Sequence, residues 1–204
     1  MGETKPSRRE KNARATRGAL LAAARERFGK RGYAATGIEE IAARAGVTTG
    51  ALYHHFGSKR GLFRAVAEAL EAELMQRAIE IGSRHTDPWQ GLEAAMQATL
   101  DASLARDVRQ IVLLDAPNVL SAATWREIED HYSLGLLRTA IGGMMSAGIL
   151  APGSPELVAR TLVSVIGELA VSIANAEDPA AARRDAEALL GRILSALRAP
   201  KARR

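Results

Sequence analysis

Between Gly32 and Ser58 the chain stops and restarts a helix three times, and that punctuation leaves few folds open. Leu20, Leu21, Ala24 and Phe28 recur at helical spacing, which predicts an amphipathic helix over residues 16–30, ended by Gly32. Thr36-Gly37-Ile38-Glu39 has the form of a capping box, with Thr36 and Glu39 satisfying each other's backbone amides at the start of a second helix. Ile38, Ile41, Ala42 and Ala45 then share one face before Gly46, a residue suited to the left-handed turn that closes a helix. Thr48 caps a third helix reaching His55 or Phe56, Gly57 stops it, and Ser58 opens a long fourth helix striped by Leu62, Val66 and Leu70. Two helices this short cannot bury their apolar faces alone. They must cross steeply around a shared plug of Ile38, Ile41, Ala42, Val47, Leu52 and Phe56, which is helix-turn-helix geometry.

The rest of the chain carries more of the same signals. Hydrophobic residues make up 47% of the 204 residues but aromatics only 4%, so the core is built from Ala, Leu, Ile, Val and Met, a mixture that favours helices over strands. Asp87-Pro88 caps a helix through about Arg106, and Ile111–Leu114 leads to a break at Asp115-Ala116-Pro117. Thr124 caps a helix through Trp125, Ile128, Tyr132 and Leu136 to Met145, and a Gly- and Pro-rich loop spans Gly148 to Pro155. Glu156–Ala176 is an almost continuous apolar helix, and Asp178-Pro179 starts a last one through Leu197. The expectation is an all-α chain of about nine helices with no strand and no tandem repeat. It divides into a basic flexible arm at 1–15, a helix-turn-helix domain at 16–65, a second domain at 66–198 and a basic tail at 199–204, with the boundary inside the fourth helix.

Charge separates the two domains. Residues 1–64 hold 14 Lys plus Arg against 5 Glu, whereas residues 65–204 hold 14 against 18 acids. A basic front on an acidic back points to a polyanion at one end only. There is no cysteine, which rules out disulfides, thiolate metal sites and cysteine nucleophiles and suits a reducing cytoplasm. No window reaches about 18 uninterrupted apolar residues, and the apolar start at Leu20–Ala24 is broken by Arg25, Glu26 and Arg27. Neither a membrane span nor a signal peptide is therefore expected. No nucleophile elbow, phosphate loop or zinc-protease spacing appears, so no enzymatic activity, cofactor or metal is expected.

If the plug faces inward, the third helix turns Thr49, Gly50, Tyr53 and His54 outward. Its first turn offers free backbone amides and a positive dipole to phosphate, Gly50 lets backbone approach closely, and Lys59 adds a cation beside the same surface. The segment from Gly18 to Val66 closely resembles the tetracycline-repressor (TetR) family signature. The likeness is strongest in Thr36-Gly37-Ile38-Glu39-Glu40-Ile41-Ala42 and in Val47-Thr48-Thr49-Gly50-Ala51-Leu52-Tyr53-His54-His55-Phe56-Gly57-Ser58-Lys59. It covers about fifty residues and does not extend usefully into the C-terminal part. What it implies is a three-helix DNA-binding domain on an all-helical dimerisation and ligand domain, with DNA contacts at Thr36, Thr48, Thr49, Gly50, Tyr53, His54 and Lys59. Arg60 stands where the family often has an acid. The arm adds Lys5, Arg8, Arg9, Lys11 and Arg14 for phosphate or minor-groove contacts.

The resemblance further implies that the last two helices pair with a dimer mate and that effectors bind among the C-terminal helices. Leu162, Val165, Ile166 and Leu169, with the stripe of Ala186, Leu190, Ile193 and Leu197, supply apolar surface for such an interface. Trp89, Trp125 and Tyr132 offer ring surface to a small molecule, Met96 and Met144 pliable walls, and Glu168 a carboxylate amid apolar neighbours. The chain therefore reads as a dimeric, ligand-responsive regulator, a repressor of a palindromic operator on double-stranded DNA, released by a lipophilic inducer. The alternatives are an effector-independent architectural DNA-binding protein and, more distantly, an all-helical enzyme or lipid carrier.

Overall fold

The computed structural model describes residues 7–200, and among them nine continuous helices and no strand. In chain order these are α1 (Arg8–Arg31), α2 (Ile38–Ala45), α3 (Thr49–Phe56), α4 (Lys59–Gly82), α5 (Pro88–Ala102), α6 (residues 108–119), α7 (residues 122–146), α8 (Pro155–Asn175) and α9 (Pro179–Leu197). Two contain π-helical stretches, Val108–Asp115 in α6 and Asp130–Leu134 in α7. The caps read from the sequence hold at four starts: Thr48 accepts from Ala51, Ser58 from Gly61, Asp87 from Trp89, and Asp178 from Ala180 and Ala181. Gly46 sits at φ 69°, the left-handed stop that α2 requires.

Several boundaries fall elsewhere than expected. The arm is not loose from residue 7 onward, because Ser7 and Glu10 form a complete capping box and start α1 at Arg8. The exposed, polar first turns of α1 carry no apolar stripe, so periodicity could not reveal them. Arg8, Arg9, Lys11 and Arg14 therefore ride on a helix; Lys5 lies outside the described residues. Thr36 is 2% exposed and caps nothing ahead of it, since its hydroxyl donates to the carbonyls of Gly32 and Arg27 and secures the end of α1. α2 starts without a side-chain cap. Asp115-Ala116-Pro117 does not break the chain. Pro117 lies at the start of the α-helical turn Ala116–Val119, where the preceding π-helix has already shifted the hydrogen-bond register and a missing N–H costs little. α7 begins three residues early, with Ser121 rather than Thr124 as its cap. The tail expected from residue 199 is anchored at its first residue, where the Ala199 amide donates to the Ile149 carbonyl.

Packing forms two cores. The first joins α1–α4 to α6 and α7 through Leu20, Phe28, Ile41, Leu52, Leu62, Phe63, Leu70 and Ile111, all at most 1% exposed. The rings of Phe28, Tyr33 and Phe63 contact one another at 5.1–5.9 Å between centroids. The second core joins α5, α7, α8 and α9 through Leu100, Ile141, Leu162, Ile173 and Leu190. Of the stripe expected to face a dimer mate, Ala186 and Leu190 are buried in the chain's own core, with Leu194 beside them, while Ile193 and Leu197 are half-buried. α8 is long and apolar enough to cross a bilayer, the one such helix among the described residues. The sequence reading passed over it because Arg160 and Glu168 interrupt the run; Arg160 pairs with Asp130 and Glu156, and the apolar side of α8 lies on α7 and α9. Where α4 meets α5 the backbones touch. A Cβ on Gly91 would lie 2.8 Å from the Gly82 carbonyl oxygen, and one on Gly82 would lie 3.0 Å from that of Gly91.

Candidate nucleic-acid interface and effector cavity

The plug of the helix-turn-helix forms as its residue types require. Ile41, Ala42 and Leu52 are buried, and Ile38, Val47 and Phe56 pack half-buried around them. α2 is held onto α1 by ion pairs, Glu40 with Arg27 and Arg31, and Glu26 with Arg44. Pairs this exposed add little stability but fix orientation. The consequence is an α3 whose outer face is free. Thr48, Gly50, Tyr53 and His54 are exposed, Tyr53 at 51%, while Thr49 is half-buried beside them. Lys59, just after this helix, is half-buried, its ammonium donating to the Ala34 carbonyl and lying 4.3 Å from the Tyr33 ring centroid. Thr36 is the member of the expected set that the fold withdraws: buried against the end of α1, its hydroxyl has no path to a phosphate.

A second group of cations, four of them expected on a loose arm, is placed by α1. Arg8, Arg9, Lys11, Arg14 and Arg17 are exposed along its first turns, and the Arg17 guanidinium lies 5.3 Å from the ring of Phe56 at the end of α3. The basic start of α1 thus runs up to the end of α3. An exposed short helix with a free amide end, flanked by fixed cations, suits the major groove and its phosphate rims.

In the second domain α4–α8 line an open cavity of about 820 Å³. Four of the six side chains expected around a small molecule line it: Met96, Trp125, Met144 and Glu168. The other two do not. Trp89 is buried in the core beneath the Arg198 guanidinium, 4.6 Å from its ring, and Tyr132 packs on the first core with its ring 4.8 Å from His131. Glu71 on α4 and Glu129 on α7, which the sequence reading missed, also line the cavity. Burial pushes the Glu71 carboxyl up to about 7, with the Glu129 charge adding to the effect. Glu129 is likewise raised by burial, partly offset by Trp125 and by the charge of Arg126, with Asp130 raising it further. In the sequence both glutamates read as ordinary surface acids of amphipathic helices; only the hollow between helices makes them interior.

Cavity and DNA-binding unit share α6. Val108, Val112, Leu113 and Pro117 form part of the cavity wall. On its other side α6 grips α1 and the following turn. Arg25 Nε donates to Asp107 at 2.7 Å, Arg106 donates to the Lys30 carbonyl at 2.8 Å, and the Tyr33 amide donates to Asp115 at 2.7 Å. Arg25 also pairs with Glu73 of α4. Gly29 is required where Asp107 approaches, since a Cβ there would lie 2.9 Å from the Asp107 Cβ.

A helix-turn-helix unit with an exposed reading helix, carried on an all-helical domain around a cavity, defines a ligand-responsive type of bacterial DNA-binding regulator. Comparison with known proteins agrees. Residues 20–66 match the family model described as "Bacterial regulatory proteins, tetR family", and residues 89–197 match "Tetracyclin repressor-like, C-terminal domain". The chain belongs to the TetR family of transcriptional regulators. It is 45% identical over 85 residues to the transcriptional activator FasR of Mycolicibacterium smegmatis, a match covering 42% of this chain and 39% of FasR. The crystal structure of a TetR-family regulator from Pectobacterium atrosepticum superposes with a TM-score of 0.85 at 34% identity, covering 96% of this chain and 99% of that one. The SmeT–triclosan complex superposes with a TM-score of 0.71 at 25% identity, covering 92% and 93%. The second-domain match shows that the family extends through the region where sequence motifs gave no likeness. These relatives are regulators rather than enzymes.

Proposed function

We propose that the chain is a homodimeric repressor that reads a palindromic operator with α3 and releases it when a small lipophilic molecule fills the cavity. One recognition helix covers a half-site, so two copies must present α3 at about 34–36 Å or a multiple of it. Thr48, Thr49, Gly50, Tyr53, His54 and Lys59 are the contacts, joined by the α1 cations. Strength comes mainly from phosphate neutralisation, and sequence choice from a few side chains and DNA shape. The dimer is assigned to the outward sides of α8 and α9, where Leu157 and Leu189 remain exposed after the inner stripe is buried. The cytoplasm, where operator DNA lies, is the assigned location.

The observation that carries ligand control is the double duty of α6, which is at once cavity wall and anchor of α1. A ligand that widens the cavity pushes α6, and α1 follows through Asp107 and Asp115; α4 transmits the same displacement through Glu73. Weakening operator binding 100-fold requires about 2.7 kcal/mol of coupling, within the usual range for such switches. The test is selection of genomic fragments by the purified protein, followed by footprinting. A protected two-fold site is expected, lost on adding compounds that raise the protein's melting temperature, with a reporter fused to the site de-repressed. Failure to enrich any fragment above a Tyr53→Ala control overturns the reading. Enrichment with no thermal response to cellular extract selects the effector-independent alternative instead.

A further inference from the structure

We propose that the cavity selects a lipophilic organic cation, seated with its charged head between Glu71 and Glu129. The inference rests on the effector-cavity reading above and names the ligand class.

The wall of the cavity carries acids and no base. Of its 35 residues three are glutamates, at 71, 129 and 168, and none is Lys, Arg or His. Two of the three face inward from different helices, Glu71 on α4 and Glu129 on α7, while Glu168 on α8 is exposed. Glu71 is half-buried at the cavity wall, and among the described residues no hydrogen bond or cation acts on its carboxylate. Three of the wall's five hydroxyls are committed to backbone carbonyls, leaving those of Ser133 and Ser164 as neutral donors. Thr99 donates to the Ala95 carbonyl, Ser103 to that of Leu100 and Ser83 to that of Glu80. Trp125 contributes the one side-chain N–H of the wall. Apart from these hydroxyls, the indole and the glutamates, the wall is aliphatic, thioether or backbone.

Such a chamber discriminates by charge. An acid entering it would face two carboxylates with no cation to answer it, which is unfavourable through both desolvation and repulsion. A neutral lipophile would gain apolar burial but leave the glutamates as they are. An ammonium or other organic cation on an apolar body would gain the same burial and give Glu71 and Glu129 the counter-charge that the fold withholds. Arg126 and Asp130, which act on Glu129 with opposite sign, are not part of the wall, so neither side chain meets an occupant.

The experiment uses the full-length protein and three probes with one ten-carbon chain, decylammonium, decanol and decanoate, titrated calorimetrically below their aggregation limits. Decylammonium is expected to bind at least about tenfold more tightly than decanol, and decanoate more weakly than either. In the Glu71→Gln/Glu129→Gln variant the advantage of the cation should vanish while decanol affinity stays unchanged, which also shows that the variant folds. Equal binding of cation and alcohol, a preference for decanoate, or a cation advantage that survives in the variant overturns the proposal while leaving an effector cavity in place. Failure of all three to bind removes the cavity's role itself, and with it the ligand control proposed above.

Discussion

Glu71 makes stability depend on pH in a direction that can be worked out from the fold. Its carboxyl titrates near 7 in the folded protein against an ordinary value of 4.5. The folded state therefore holds this proton over a range in which the unfolded chain has lost it. With more protons bound to the folded state, stability falls as pH rises from about 4.5 and levels off above about 7. A shift of about 2.5 units corresponds to about 3 kcal/mol per subunit above the folded pKa, an upper bound because water entering the cavity screens the charge. Glu129, which faces Glu71 and is itself raised, adds a smaller loss over the same window, while Arg126 opposes it. Replacing Glu71 by Gln removes the titration and keeps the shape. At about pH 8 the variant should exceed wild type by up to about 3 kcal/mol, roughly 6–12 °C in melting temperature for a chain of this size. At about pH 4 the two should be within 0.5 kcal/mol or so of each other, because both carboxyls are then largely neutral. Urea unfolding followed by circular dichroism at both pH values reads this directly. An unchanged difference between wild type and variant across the two conditions would refute the assignment of an uncompensated carboxylate to the cavity.

Three further outcomes test the rest of the architecture. Tyr53→Ala, which truncates a half-exposed side chain, should change stability by less than about 1 kcal/mol yet abolish operator binding in a gel shift; retained affinity would remove α3 from the interface. Leu52→Ala empties the centre of the plug and should cost about 3–5 kcal/mol, measured by urea unfolding of the first domain, with DNA binding lost as a consequence. Asp107→Ala cuts the α6 hold on Arg25, a partly exposed pair worth at most about 1 kcal/mol to folding. It should leave operator affinity nearly intact while blunting release by effector in a competition footprint, and undiminished release would show that α6 is not the transmitter.

What the sequence disclosed and what it hid divide along a physical line. Local signals were readable because their cause is local: Thr48, Ser58, Asp87 and Asp178 cap helices with their own backbone neighbours, and Gly46 takes a conformation that β-carbons resist. The inward set of the first domain followed from spacing alone. Thr36 was misplaced because capping chemistry works at either end of a helix break, and only the packed structure shows that its hydroxyl turns backward to Gly32. The stripe on α9 was recognised as apolar, but which body it would meet depended on α5 and α8 folding over it. Glu71 illustrates the deepest limit. It follows Leu70 on an amphipathic helix, and nothing nearby in sequence marks it as interior. Glu129, far along the chain on another helix, and the hollow between them give it its character.

On the proposed mechanism, the glycine pair at the α4–α5 crossing would set the leverage of the device. With backbone resting on backbone at Gly82 and Gly91, no side chain can yield there, so the end of α4 serves as a fulcrum. From Gly82 back to Lys59, beside the reading helix, the rod is about 35 Å long at 1.5 Å per residue. A tilt of about 5° at the fulcrum therefore carries α3 through about 3 Å, close to the rise of one base pair. In the proposed release, a small swelling near the pivot would become a one-step misalignment at the groove.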